Sequence, residues 1–201
     1  MTASDVGVAR TAPRILARAA WPEGPEDTLP AVPGFILSTF NPLVVEVAER
    51  CLRRVFAPPS PCDPQRAARI GILLASAGGD RGTARALAEV VESGGRVPPL
   101  LFFQSNPNAV LGHVTARWGL AGPVVCVSPA KTGAGSAADS LAASLEEAMA
   151  VAAALIGDGD ADEVLVVAAE QGTEPGGRAA GGSTGRGAGF DSAVALFVTG
   201  E

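Results

Sequence analysis

The sequence predicts an α/β domain in which a mostly parallel or mixed sheet is covered by helices. Three apolar stretches rich in Val, Ile and Leu have the length of buried strands, and they occupy residues 70–75, 124–127 and 163–169. Helix-like segments separate these stretches along the chain. Because neighbouring parallel strands need a crossover connection, usually a helix, this alternation favours layers of the βαβαβ type. The chain of 201 residues is long enough for one such domain.

The elements before the first buried strand are an edge strand and a helix. Residues 5–16 contain apolar positions suited to an edge strand, and a connector rich in Pro and Glu follows at residues 22–33. Residues 41–56 repeat apolar side chains at three- and four-residue spacing, which predicts an amphipathic helix. A Pro-rich break at residues 57–61 then leads to the first buried strand.

A turn at residues 76–80 follows that strand and leads to a helix for which Thr83 is the candidate cap. Two prolines at positions 98 and 99 predict a corner that extends to residue 107. The polar, Gly-rich residues 171–189 predict a mobile loop. The remaining predicted elements are two helices and a final strand, at residues 108–118, 135–156 and 192–198.

The charge balance excludes two classes of partner. The net charge is −6 and the pI is near 4.9, whereas nucleic acids and anionic membranes are bound through basic faces. Lys131 is the only lysine, and the arginines are scattered. No stretch reaches the roughly 20 uncharged apolar residues that a membrane-spanning helix needs, and arginines interrupt residues 1–18, where a signal core would lie. We therefore expect a cytoplasmic protein without a membrane partner.

The sequence predicts neither a metal site nor a cofactor. Cys51, Cys62 and Cys126 are odd in number and lack the spacing of a zinc site or a disulfide framework. His113 is the only histidine, so a mechanism that needs two imidazoles from this chain is excluded. The three cysteines are expected to be ordinary thiols.

Three segments carry motifs in a fixed order. Residues 103–113 form a corner that runs into Asn-Ala-Val-Leu-Gly-His, residues 118–123 read Trp-Gly-Leu-Ala-Gly-Pro, and residues 159–170 begin with Gly-Asp-Ala-Asp. In order and spacing they resemble the N-terminal half of the ketosynthases of the thiolase superfamily. The resemblance covers about residues 70–198. It implies a single truncated ketosynthase-like domain, residues 1–201, without the C-terminal half of the family.

The resemblance also implies that the nucleophile is lost. Active ketosynthases carry a Cys at the elbow between a strand and a helix, where the helix N-terminus lowers its pKa. Counting forward from Pro123 places that position at Lys131, and counting back from Gly159 places it at Ala142. The nearby Cys126 lies within a predicted buried strand, where desolvation raises the pKa of a thiol. No catalytic residue is therefore assigned.

These departures imply a chain-length-factor-like subunit that pairs with an active ketosynthase in a type II polyketide or fatty-acyl system. The two histidines that drive condensation lie in the family's C-terminal half, and His113 matches only a structural position of the first half. The family dimerises through the strand before the nucleophile, and its corner reaches into the partner's acyl pocket. The implied interface residues are Leu101, Phe102, Phe103, Gln104, Ser105, Asn106, Val124, Val125, Cys126 and Val127. An acyl carrier protein would be an indirect partner.

The same alignment implies that three residues lie near the floor of a shared acyl tunnel. These residues are Ala77, Ala84 and Leu87. In such heterodimers the bulk of the side chains along the tunnel sets the length of the product. Alanine at two of the three positions implies room for a long chain, such as a polyene.

Two other functions fit the sequence less specifically. A small acyltransferase or hydrolase could use Ser128, Ser136 or Cys126 on acyl carrier thioesters, although no second histidine and no Gly-x-Ser-x-Gly motif accompanies the serines. Both serines are also suited to capping a helix. A homodimeric scaffold is the third hypothesis.

Overall fold

The computed structural model describes residues 12–56, 63–130, 136–172 and 190–200, which form one five-stranded sheet with helices on both faces. The elements are β1 (Arg14–Trp21), α1 (Phe40–Arg53), α2 (Pro64–Ala67), β2 (Ile70–Ala75), α3 (Arg81–Glu92), α4 (Pro99–Gln104), α5 (Pro107–Trp118), β3 (Val124–Val127), α6 (Ala137–Gly157), β4 (Glu163–Glu170) and β5 (Ser192–Thr199). The Pro-rich break at residues 57–61, Cys62 and residues 173–189 of the predicted loop lie outside the described residues.

The sheet is mixed, with strand order β1-β5-β4-β2-β3. β2 pairs in parallel with both β3 and β4, as the alternation of strands and helices predicts. β5 pairs antiparallel with β4 and with β1. An antiparallel neighbour needs no crossover helix, and no helix-like sequence lies between β4 and β5. The prediction of a mixed α/β sheet covered by helices is therefore confirmed.

The core has two layers, one on each face of the sheet. α1 and α5 cover one face, and α6 lies along β4 on the other. All eight residues of β4 are buried, because this strand is central in the sheet and is covered on both faces. This arrangement explains why its sequence is a continuous apolar run instead of an alternating one.

A buried carboxylate joins α1 to α5. The Glu49 side chain is 5% exposed and lies 2.6 Å from the guanidinium groups of both Arg53 and Arg117. It also accepts a hydrogen bond of 3.0 Å from Nε1 of Trp118. Two cations and an indole N–H thus satisfy one buried anion, which is the condition under which a charge can be retained in a core.

Two glycines bring β3 against β2. Gly119 ends α5 with a φ of +67°, a left-handed conformation that glycine adopts without a steric penalty. At Gly122 an added Cβ would lie 2.5 Å from the carbonyl oxygen of Ile70, so the two backbones approach too closely for any side chain. The Gly-Leu-Ala-Gly segment is therefore required by the packing of β3 against β2.

Three local predictions differ from the structure. The N-cap of α3 is Asp80, whose carboxylate accepts from the backbone N–H of Thr83 at 2.9 Å, so the assignment of Thr83 as the cap was wrong. The predicted corner contains the helix α4. Pro99 stands in its first turn, where backbone N–H groups have no partner within the helix, so proline costs no hydrogen bond there. β1 ends at Trp21 and so extends beyond the predicted strand at residues 5–16, whose first seven residues lie outside the described part of the chain.

α6 (Ala137–Gly157) lies close to the predicted helix at residues 135–156 and is strongly apolar. α6 has 21 residues, and its most apolar 18-residue stretch has a mean hydropathy of 1.4, so by length and composition alone it is long and apolar enough to cross a membrane. Glu146 and Glu147 stand near its middle, and the helix packs along β4. Only 17% of its most apolar segment is buried within this chain.

Candidate functional site

A cavity of about 340 Å³ lies where β2 and β3 end, and we call it the strand-end cavity. The carboxyl ends of parallel strands meet at one edge of a sheet, which is the usual place for a binding site in α/β proteins. Four segments line it, namely the start of α1 (Phe40, Asn41), the end of β2 and the turn after it (Leu74, Ser76, Gly79, Asp80), the junction of α4 and α5 (Gln104, Ser105, Pro107) and the end of β3 (Cys126, Val127, Ser128).

Asp80 fixes the position of α3 beside this cavity. Besides the backbone N–H of Thr83, its carboxylate accepts from the Thr83 hydroxyl at 2.7 Å and from Nδ2 of Asn41 at 3.0 Å. Asn41 is 2% exposed and belongs to α1. Three donors therefore hold one acidic side chain, and they tie the first turn of α3 to the first turn of α1.

Gln104 lies at the end of α4 and is 1% exposed. Its Oε1 accepts hydrogen bonds from the backbone N–H groups of Ile36 at 3.1 Å and Leu37 at 3.4 Å. Its Nε2 is buried and has no hydrogen-bond partner among the described residues. Gln104 is among the residues that line the strand-end cavity, and its assignment to an interface stays a prediction.

Cys126 is the thiol in this cavity, and it is poorly suited to act as a nucleophile. Burial raises the pKa of Cys126 to about 11, so the thiolate is scarce at neutral pH. The thiol donates a hydrogen bond of 3.1 Å to Oδ1 of Asn108, which is an amide oxygen and not a base. His113 packs edge-on against Phe35, with 6.0 Å between the ring centroids.

The other candidate nucleophiles do not form an activated site. Ser136 caps α6: its hydroxyl oxygen accepts from the backbone N–H of Asp139, whose carboxylate accepts from the backbone N–H of Ser136. Ser128 is exposed at the rim of the strand-end cavity. Ala142 is exposed in the second turn of α6, and Lys131 lies outside the described residues. The geometry therefore gives no support to an acyltransferase or hydrolase.

The three residues assigned to the tunnel do not line the strand-end cavity. Ala77 is in the turn after β2, Ala84 is exposed on α3, and Leu87 is half-buried one turn later. The backbone N–H of Ala77 donates to Oε1 of Glu170 at 2.6 Å. The position of this turn is therefore fixed by the end of β4, and the role of the three side chains stays a prediction.

Glu170 binds the turn after β2, and Gln171 binds the start of α3. Neither residue was identified from the sequence. Glu170 is 3% exposed and also accepts from the backbone N–H of Gly78 at 3.0 Å and from the Ser144 hydroxyl at 2.9 Å. Oε1 of Gln171 accepts from the backbone N–H of Arg81 at 2.8 Å. The signal available in the sequence was a pair of polar residues, Glu170 and Gln171, directly at the end of the apolar run of β4.

The predicted interface residues fall into an exposed and a buried group. Phe102 and Phe103 are 72% and 50% exposed, whereas Leu101 is buried. Ser105 and Asn106 make local bonds: the Ser105 hydroxyl donates to the carbonyl of Phe102 at 2.7 Å, and Oδ1 of Asn106 accepts from the N–H of Asn108 at 2.9 Å. On β3, Val124 is 45% exposed, and Val125, Cys126 and Val127 are half-buried.

The exposed phenylalanines belong to a larger apolar surface. We call it the α3–α4 surface and define it as α3, α4 and the exposed side chains of Ile36 and Leu37. It encloses an open groove of about 560 Å³, and α3 buries only Thr83 among its twelve residues. β3 is an edge strand, so its outer side has no strand partner among the described residues. An uncovered apolar face and an open strand edge are both typical of interaction surfaces.

Comparison with known proteins is informative at the level of structure. No family model matches the sequence, and no curated protein matches it. A ketosynthase (ApeO) in complex with its chain length factor (ApeC) from Xenorhabdus doucetiae matches with a TM-score of 0.60 and 18% identity, over 94% of this chain and 79% of that chain. The ishigamide ketosynthase/chain length factor matches with a TM-score of 0.62 and 17% identity, over 94% of this chain and 62% of that chain.

A beta-ketoacyl synthase from Burkholderia phymatum matches with a TM-score of 0.59 and 19% identity. The alignment covers 87% of this chain but only 46% of the synthase, so this chain spans less than half of that protein. The chain therefore has a ketosynthase-like fold.

Proposed function

We propose that the chain is a non-catalytic, chain-length-factor-like subunit that pairs with an active ketosynthase in cytoplasmic type II polyketide or fatty-acyl biosynthesis. The observation that carries this proposal is the absence of an activated thiol where β3 ends. The sequence has no cysteine between Cys126 and the start of α6, and burial raises the pKa of Cys126 to about 11. A ketosynthase-like fold without that nucleophile is suited to assist condensation in a partner.

Two surfaces support the choice of a protein partner. The outer edge of β3 has no strand partner among the described residues, and the α3–α4 surface leaves large apolar side chains exposed. Two of the matching structures are complexes of a ketosynthase with a chain length factor. The alignment covers 94% of this chain and 79% of the chain matched in the first of them, so that chain is about a fifth longer than this one. An acyl carrier protein would then contact the assembled complex.

The test of this pairing is co-expression with the ketosynthase encoded nearest to this chain. We expect the two proteins to co-purify as a stable complex whose mass by light scattering equals a whole number of pairs. We also expect the chain alone to self-associate and to bind a hydrophobic dye, because the α3–α4 surface then faces water. A soluble monomer that binds neither the ketosynthase nor the dye would refute the pairing.

The proposed tunnel can be tested separately in that complex. Replacing Ala77 with Phe adds bulk beside the turn that Glu170 holds in place, so the turn cannot move aside without losing a 2.6 Å hydrogen bond. Overpacking typically costs about 1–3 kcal/mol, whereas one buried methylene of substrate contributes about 0.8 kcal/mol. Mass spectrometry of carrier-bound products should therefore show chains shorter by one or more extension units. An unchanged product distribution would remove Ala77 from the tunnel.

A further inference from the structure

β1 is one of the two edge strands of the sheet, and it lies at the opposite edge from β3. It is eight residues long, and its Ile15 and Leu16 side chains are 53% and 39% exposed. An edge strand presents a row of backbone N–H and C=O groups on which another strand can pair, and a long, apolar edge favours that pairing. The backbone groups on the outer side of β1 therefore decide whether this edge is open or closed.

The hydrogen bonds of β1 identify these outer groups. The N–H of Ala20 donates to Oε1 of Glu23 at 3.2 Å, so it points away from β5, the strand that pairs with β1. Along an antiparallel strand the N–H and C=O of one residue point to the same side, and the side alternates from residue to residue. The backbone groups of Arg18 therefore also point outward, and its carbonyl accepts a hydrogen bond from the Arg54 guanidinium. Side chains thus occupy the outer donor of Ala20 and the outer acceptor of Arg18.

These two side chains are bound to each other and held by α1. Nη2 of Arg54 donates to both carboxylate oxygens of Glu23, at 2.8 and 3.0 Å. Arg54 is the C-cap residue of α1, and its backbone N–H donates to the carbonyl of Cys51. Arg50, one turn earlier on α1, lies 3.8 Å from the same carboxylate. We call the Arg54–Glu23 pair the β1 clasp, and α1 fixes it against the outer side of the strand.

The rest of this edge is interrupted as well. The pairing of β1 with β5 shifts register between Ile15 and Ala17, an irregularity of the β-bulge kind. Pro22 follows the strand directly and has no N–H to donate. Bulges, prolines and charged side chains are devices by which natural edge strands avoid pairing with other strands. At β3, by contrast, no side chain of the described residues is hydrogen-bonded to the backbone of the strand.

We propose that the β1 clasp is an autoinhibitory contact that closes this edge of the sheet, so that the chain accepts a strand partner at β3 and not at β1. The consequence is geometric. If both edges were open, β3 of one copy would pair with β1 of the next, and such head-to-tail contacts repeat into open-ended assemblies. With β1 closed, strand pairing ends after a single partner. The clasp acts in this way whichever protein pairs with β3, so it does not depend on the proposed function.

The test removes the clasp with the double variant Glu23→Ala, Arg54→Ala and follows amide hydrogen exchange by NMR at a low and a high protein concentration. The Arg18 N–H points outward, so strand addition at β1 protects it. In the double variant its exchange should slow by about 10-fold or more at the high concentration, whereas in the wild type it should be fast at both concentrations. Sedimentation velocity should show larger species for the double variant than for the wild type. Exchange at Arg18 that does not depend on concentration in the double variant would overturn the proposal.

The amide of Ala19 distinguishes an edge guard from a structural support. Its N–H faces β5, so it should stay protected in the double variant if β1 remains in the sheet. Loss of protection at Ala19 would show that the clasp anchors β1, and this result too would overturn the proposal.

Arg69→Ala is the matched control, because Arg69 also binds one carboxylate and one backbone carbonyl. Its guanidinium donates to Oδ1 of Asp162 at 2.8 Å and to the carbonyl of Gly159 at 2.7 Å, next to the inner strands β2 and β4. This variant should match the wild type in both measurements. Larger species in the control would mean that loss of any surface ion pair causes assembly, which would contradict the assignment to β1.

A proline should close the edge again without the clasp. Ala20→Pro, added to the double variant, removes an N–H that faces away from β5, so it costs no hydrogen bond between β1 and β5. It also deprives an added strand of an outer donor. The triple variant should therefore return to the size of the wild type and to fast exchange at Arg18. Large species that persist in the triple variant would show that they do not form at the β1 edge.

Discussion

Replacing Phe102 with Ser should weaken association with the ketosynthase without unfolding the chain. A fully enclosed Phe side chain buries about 150–250 Å², and Phe102 is 72% exposed. About 150 Å² is therefore available to a partner, which corresponds to about 4 kcal/mol at about 25 cal/mol per Å². Because binding also restricts the motion of side chains, which offsets part of this gain, we expect the variant to lose about 2–4 kcal/mol of binding free energy. This corresponds to a Kd that is roughly 30- to 1,000-fold higher.

The assay is a titration of the labelled ketosynthase with each purified variant, together with thermal unfolding of the variant alone. Ile15→Ser is the matched control, because Ile15 is 53% exposed on β1, at the opposite edge of the sheet from β3. The control should bind like the wild type, and both variants should unfold at nearly the wild-type temperature. If Phe102→Ser binds within a factor of about three of the control, which is about 0.7 kcal/mol, the α3–α4 surface is not the interface.

Three further predictions follow from other parts of the structure. Cys126→Ala should leave condensation by the complex within a few-fold of wild type, and Cys126 should react slowly with iodoacetamide at neutral pH, because burial raises the pKa of its thiol to about 11. Gly122→Ala should lower the free energy of unfolding by about 1–3 kcal/mol and Tm by about 2–10 °C, because its Cβ would meet the Ile70 carbonyl. Arg50 holds the pKa of Asp27 well below its ordinary value of 3.8, so the stability that Asp27 contributes should be present above pH 3.8 and lost as the pH falls further.

Each of these predictions has a control. A drop of several orders of magnitude in the activity of an intact Cys126→Ala complex would make Cys126 catalytic. Gly112→Ala should be neutral or stabilising, since nothing lies within 4 Å of its added Cβ inside α5, and a loss equal to that of Gly122→Ala would refute the steric argument. Asp27→Asn should show a flatter decline of stability in acid than the wild type, and identical acid titrations would show that Asp27 contributes nothing.

The elements that the sequence predicted best are those with a continuous apolar signal. β2, β4 and β5 were placed to within one residue, because strands buried on both faces leave a nearly uninterrupted run of apolar residues. The cap of α3 was misassigned because Asp80 and Thr83 are both good cap residues, and only the backbone conformation distinguishes them. α4 was missed because a six-residue helix that begins at a proline gives no periodic pattern.

The candidate site was less predictable, because its polar contacts join distant segments. Glu170 holds a turn 93 residues earlier, and Gln104 binds backbone groups 67 and 68 residues earlier. No local pattern encodes such pairs. The sequence indicated the missing elbow thiol directly, whereas the unused donor of Gln104 could be recognised only once Oε1 was seen to be occupied.

The most direct test of the central claim is to find which subunit carries the acyl group during condensation. The complex with the ketosynthase would be incubated with an acyl carrier thioester, quenched in acid, and both chains weighed intact by mass spectrometry. The non-catalytic assignment requires the added acyl mass on the ketosynthase alone, with this chain unmodified. An acyl adduct on this chain that forms and disappears at the rate of turnover would contradict it.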